Sequence, residues 1–182
     1  MKAAVPLSDK AGPDGFSHLD EQGKARMVDV GDKPVTRREA VASGLVRMRA
    51  ETLQALTSGG VPKGDVVAAA RLAGIMGAKE TSRLIPLCHP LPLSQVSVDI
   101  VPQPPDGLRI VCRVRTDGRT GVEMEALTGV SIAALTVYDM CKALDRDMLI
   151  ERVGLDEKRG GRSGEWRRGT DGSNWRQTSK QP

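Results

Sequence analysis

Apolar positions along this chain follow two rhythms. Between Thr36 and Gly60, Val41, Leu45, Met48, Leu53 and Leu56 recur every three to five residues. That spacing predicts an amphipathic helix over 36–60, opened by a Thr36/Glu39 capping box and closed by Gly59 and Gly60. A second helix is expected from near Asp65 to before Pro86. Its Ala68, Ala69, Ala73, Gly74, Gly77 and Ala78 leave a nearly bare surface. Glycine costs helix stability, about 1 kcal/mol relative to alanine, so close approach of another backbone is implied. A third helix is read over 125–144, with a core stripe of Leu127, Val130, Ala134, Val137, Cys141 and Leu144. Ile132 and Leu135 make it apolar around much of its circumference, which predicts deep burial.

The other rhythm is alternation. Val96, Val98 and Ile100 predict a half-buried strand over 94–101; Leu108, Ile110, Cys112 and Val114 predict another over 108–116. The turn "QPPDG" joins them as a hairpin. Short strands are also expected at 26–30 ("RMVDV") and 148–156. "VEME" (122–125), if extended, puts Glu123 and Glu125 on one face. The order β-α-α-β-β-α-β predicts an α+β two-layer sandwich, an antiparallel sheet with helices on one face. Residues 1–16 read as a loose extension, 17–165 as one domain and 166–182 as a basic, disordered tail.

Charge changes this picture only at the tail. The net charge is +4, and residues 158–182 alone carry seven Lys/Arg against two Asp/Glu, leaving about −1 for the rest. A nucleic-acid binder is therefore not expected of the body, which also lacks the aromatic platforms that single-strand binders use. No apolar run reaches the ~20 residues a membrane helix needs, and the start has no long apolar h-region. Three scattered cysteines argue against a disulfide framework. A cytoplasmic protein is expected.

Candidate chemistry is concentrated in a few places. Asp139 and Lys142 are three residues apart and share a helix face. They read either as a structural ion pair or as an acid–base pair. Glu123 and Glu125 read as a solvated face or as acceptors for a donor-rich ring edge. Lys63, Lys79 and Lys158 are ordinary surface lysines singly and a phosphate clamp together. In "LIPLCHPLPLS", Pro86, Pro90 and Pro92 fence Cys88 and His89. Zinc binding lacks ligand spacing, and a thiol nucleophile lacks a distant histidine partner in the body. A histidine fixed in direction for hydrogen bonding or proton transfer fits, as does a merely rigid connection.

"MVDV", "KGDV", "LIPLCHPL", "TGVEMEALT" and "YDMCKA", in this order, resemble the motifs of the cyclic pyranopterin monophosphate synthase family, the accessory protein C family of molybdenum cofactor biosynthesis. The similarity runs from about residue 17 to about 165. The resemblance implies a ferredoxin-like subunit assembled as a homohexamer, a trimer of dimers with the active site at the dimer interface. It implies a lyase that turns a cyclised dihydro-GTP, made by a radical S-adenosylmethionine partner enzyme, into cyclic pyranopterin monophosphate and diphosphate. It implies no metal or organic cofactor for the chemistry, Mg2+ being at most a companion of the triphosphate. By the same resemblance Asp139, Lys142 and Lys63 are catalytic. Leu87, Cys88, His89, Glu123, Met124, Glu125, Lys79 and Lys158 contact substrate. Asp29 and Arg38 also match family positions, and Arg162 stands where a lysine is expected. Two other classes remain open: a nucleotide-binding module without catalysis, and a nucleic-acid binder working through the tail.

Overall fold

The structure, a computed structural model, describes residues 22–169. One antiparallel sheet contains β1 (Thr36–Arg47), β2 (Leu93–Gln103), β3 (Gly107–Gly118), β4 (Leu149–Arg159) and β5 (Trp166–Arg167) in the order β2-β3-β1-β4-β5. The helices are α1 (Ala50–Thr57), α2 (Val66–Lys79), α3 (Thr81–Leu84) and α4 (Glu123–Cys141). The α2 and α4 helices pack on each other and against the sheet. The result is the expected α+β architecture, and its strand order is compatible with a ferredoxin-like fold. No helix among the described residues is long and apolar enough to cross a membrane.

The first helix expectation needs correction. Residues 36–47 form the strand at the centre of the sheet, and only Ala50–Thr57 is helical. Ala40, Ala42 and Val46 lie opposite Val114, Cys112 and Leu108 of β3, and all six are fully buried. Their outward neighbours are free to be polar: Glu39 pairs with Arg115 at 3.0 Å. Thr36 and Glu39 are thus strand residues, not a capping box. The inward Ala40, Ala42 and Gly44 carry little hydrophobic signal of their own, so Val41 and Leu45 alone set the apparent helical stripe there. Ladders to β3 on one side and β4 on the other then decide for strand. Residues 26–30 form no strand and run as an irregular connection.

The remaining elements follow their patterns. Asp65 caps α2, accepting from the Ala68 amide at 2.9 Å. The β2–β3 hairpin pairs in the predicted alternation. Helix α4 starts at Glu123 and ends at Cys141, so Glu123 and Glu125 occupy a first helical turn, not one face of a strand. Acidic residues there complement the positive end of the helix dipole. Leu144 falls beyond the helix, and Leu135 is more than half exposed, so the deep-burial expectation holds only for the inner face. Trp166 and Arg167 join the sheet beside Lys158 and Glu157. The expectations for 1–16 and for the far end of the tail fall outside the described residues.

The bare surface of α2 meets α4 within the chain. A Cβ on Gly74 would come within 2.9 Å of the Gly129 carbonyl, and one on Gly129 within 2.6 Å of Cys112 Sγ. A Cβ on Gly77 would approach Ile132 Cγ1 to 2.7 Å. The two helices are locked at backbone distance, and antiparallel: Lys63, just before α2, reaches the end of α4. This crossing sets where every candidate residue lies.

Candidate active site

The candidate residues separate into two groups at opposite ends of α4. At its C-terminal end, Asp139 Oδ2 receives Lys63 Nζ at 2.9 Å and Oδ1 receives Lys142 Nζ at 2.7 Å. Lys63 also donates to the Asp139 carbonyl at 2.9 Å, closing the helix end. Two hydrogen-bonded ammoniums, Lys142 foremost, hold the Asp139 carboxyl down at about 2. All three side chains are about half exposed. The loop beyond is pinned by buried Asp145, whose Oδ2 accepts from the Arg49 amide at 2.8 Å.

At the N-terminal end two cavities adjoin. One, of about 670 Å³, has an apolar wall of Val28, Val30, Ile85, Leu87, Leu91 and Met124, with Cys88, His89 and Glu125 among its lining. Glu125 is only 4 % exposed. Burial chiefly, with Glu123 adding to it, pushes its carboxyl up to about 7 against a bond from its own backbone. The Cys88 thiol is pushed up by burial and by Glu125, which makes it a poor nucleophile. His89 Nε2 donates to the Val28 carbonyl at 2.8 Å.

The second cavity, about 560 Å³, is ringed by Lys33, Arg38, Arg119, Lys158, Arg159 and Arg162, against the two carboxylates Glu39 and Glu123. Glu39 is engaged by Arg115, and Glu123 lies 3.6 Å from Lys158. Lys158 also donates to Ser163 Oγ at 2.5 Å. The Gly160–Gly161 pair turns the chain over this cavity at positive φ, 94° and 77°, a conformation suited to glycine. Lys33, Thr120, Gly121 and Glu123 line both cavities, so the apolar and cationic spaces form one continuous cleft.

Leu87, Cys88, His89, Glu123, Met124, Glu125 and Lys158 are therefore brought together, and Arg162 joins them. Lys79, exposed at the end of α2, lines neither cavity, although the antiparallel crossing puts it at this end of the molecule. Asp139, Lys142 and Lys63 are not brought to the cleft. Glu123 and Asp139 are sixteen residues apart on one helix, about 24 Å at 1.5 Å per residue. Asp29 is turned locally onto the Gly31 amide at 2.7 Å. Sequence reasoning overlooked Lys33, Arg119 and Arg159. Arg119 precedes α4 in the turn "DGRTG", and its basic neighbours approach only through strand pairing.

The MoaC family model matches residues 27–161. A protein named cyclic pyranopterin monophosphate synthase from Chloroflexus aggregans is 62% identical over 156 residues, covering 85% of this chain and 94% of that protein. The protein of that name from Thermomicrobium roseum is 62% identical over 157 residues, 86% and 95% of the two chains. Cyclic pyranopterin monophosphate synthase 1 of Mycobacterium tuberculosis H37Rv is 62% identical over 153 residues, 84% and 90%. The five motifs, from "MVDV" to "YDMCKA", all fall inside residues 27–161, and the chain belongs to the MoaC family.

Proposed function

We propose that this protein is a lyase that forms cyclic pyranopterin monophosphate from a cyclised dihydro-GTP in molybdenum cofactor biosynthesis. The observation that carries the reading is the continuous cleft: an apolar cavity holding the buried carboxyl of Glu125 opens into one ringed by six cations. A purine-derived ring fits the first and a triphosphate the second. Glu123 and Glu125 are acceptors for the donor-rich edge of the base, and Leu87, Cys88 and Met124 flank it. Lys158, with Lys33, Arg38 and Arg119, holds phosphate oxygens by side chains in place of a P-loop. Lys79, exposed at the same end of the molecule, lines neither cavity and is left without a contact in this chain's cleft. The reaction needs no metal or organic cofactor. The carboxylates of the cationic cavity are already engaged by Arg115 and Lys158, so any Mg2+ rides on the phosphates.

Asp139, Lys63 and Lys142 are the proton-transfer group. An aspartate held this acidic remains anionic and keeps two ammoniums side by side, so the lysines deliver and recover protons as the purine-derived ring opens and the pterin closes. A ribose-derived hydroxyl then attacks the α-phosphate and diphosphate leaves. Because one chain separates this group from the cleft by about 24 Å along α4, the working site is composite. The end of α4 from one copy meets the cleft of another, at the dimer interface of a homohexamer built as a trimer of dimers. Exposed Leu72 and Met76 on one face of α2, with Leu135 on α4, favour such self-association. The cytoplasm is the expected compartment, and the radical S-adenosylmethionine GTP cyclase supplies the substrate.

The test is a coupled anaerobic assay in which GTP and the cyclase generate substrate and oxidation turns the product into a fluorescent pterin. Wild type is expected to give fluorescence and Asp139→Asn to give almost none. A folded wild type without product would leave only a nucleotide-binding module. Mixing Asp139→Asn with Glu125→Gln after partial dissociation should restore about one quarter of wild-type turnover. Half the dimers are then mixed, and each holds one intact site. No recovery from verified mixed assemblies would place all catalytic groups in one chain.

A further inference from the structure

The segment 26–30 borders the apolar cavity but belongs to no strand, so something other than a ladder must hold it. One tie, across 61 positions of sequence, is the His89 ring on the Val28 carbonyl. A carbonyl can only accept, so Nε2 carries the hydrogen. In the neutral ring this leaves Nδ1 as a lone-pair acceptor, and His89 makes no other hydrogen bond among the described residues. His89 itself lines the cavity with Val28 and Val30.

We propose that His89 is a two-ended positioning residue. Its Nε2–H clamps the Val28 carbonyl and fixes residues 27–30 as a cavity wall, and its Nδ1 accepts an N–H or O–H from the ligand. The clamp fixes the tautomer, and the tautomer fixes what the cavity reads. With the Glu123 carboxylate and the carbonyl oxygen of the Glu125 carboxyl nearby, the lining then adds acceptors, which favours a donor-rich, guanine-like edge over an adenine-like one. The ligand's chemistry rests on the function proposed above; the clamp does not. Flanking Pro86, Pro90 and Pro92 narrow the conformations open to the loop that carries His89 before folding.

Three measurements on the full chain test this. Nitrogen-15 NMR of labelled histidine, assigned with His89→Gln since His18 is the only other histidine, should show Nε2 protonated and Nδ1 unprotonated. An Nδ1–H tautomer would overturn the proposal. Next, His89→Gln keeps a donor at the Nε2 position and lacks an atom at Nδ1, whereas His89→Asn does the reverse. Tryptic cleavage after Arg26, followed by mass spectrometry, should stay near the wild-type rate in His89→Gln. It should rise about tenfold in His89→Asn and His89→Ala, the loss expected for one hydrogen bond to an exposed segment. Equal rates in the Gln and Ala variants would remove the clamp. Finally, GTP affinity should fall about tenfold in His89→Gln with ATP affinity unchanged; unaltered GTP binding would remove the acceptor role. Absence of pterin product from wild type, with the tautomer and cleavage pattern as expected, would defeat the proposed function and leave the clamp standing.

Discussion

The two ends of α4 carry carboxylates with opposite habits. Asp139 lies half exposed between two ammoniums and holds its charge down to about pH 2. Glu125, fourteen residues away on the same helix, is buried in an apolar wall and holds its proton up to about 7. The side chains are chemically almost alike. Partners decide the first case and desolvation the second. One helix thus carries both kinds at opposite ends, and in the composite site proposed above the two that work together come from different copies.

Four substitutions would break or sharpen this contrast. Asp139→Asn leaves Lys63 and Lys142 without their shared anion. Pterin formation should drop by about 10²–10⁴, with circular dichroism and melting temperature nearly unchanged, because the group is exposed. Retained turnover would remove the lysine pair from the chemistry. Gly129→Ala attacks the frame: a methyl within 2.6 Å of Cys112 Sγ should cost about 1–3 kcal/mol in urea unfolding. An unchanged midpoint would mean that the helix crossing is looser than described.

Glu125→Gln probes the buried end through pH. A carboxyl whose folded pKa is raised binds its proton more tightly folded than unfolded. Its contribution is therefore fully present below the ordinary glutamate range and is lost as pH rises through about 7. The variant should match wild type at about pH 4 and exceed it by up to about 3 kcal/mol at about pH 8.5. A difference that does not vary with pH would contradict the burial argument. Asp99→Ala, which removes the exposed pair with Arg113, should shift stability by less than about 0.5 kcal/mol, measured by the same unfolding curves.

How much of this was legible in the sequence varied with the element. The hairpin of β2 and β3 was plain because each strand buries one face, so alternation survives in Val98, Ile100, Ile110 and Cys112. The strand β1 was hidden because its inward residues are Ala40, Ala42 and Gly44. Gly44 is small because a Cβ there would meet Val130 Cγ1 at 2.8 Å. A close-packed centre thus erased the hydrophobic signal by which a strand is recognised. The small face of α2 announced a close neighbour but could not name α4. At the candidate site, motif resemblance singled out both carboxylate groups and Cys88-His89. It could not show that Arg38, Arg119, Arg159 and Lys158 share one cavity, since β1, β3 and β4 carry them there from distant parts of the chain. Nor could it show that Asp139 sits far from Glu123 within one chain.

The backbone-to-backbone crossing of α2 and α4 has a consequence for sequence change. A helix gripped at Gly129 by Gly74 and Cys112 cannot slide or turn to absorb an inserted residue. One residue added between Ala133 and Asp139 would rotate everything beyond it by about 100°. Lys142 and Asp139 would swing away from Lys63, while the cleft at the other end stayed intact. On the assignment proposed above, such a chain would still bind its nucleotide without transforming it.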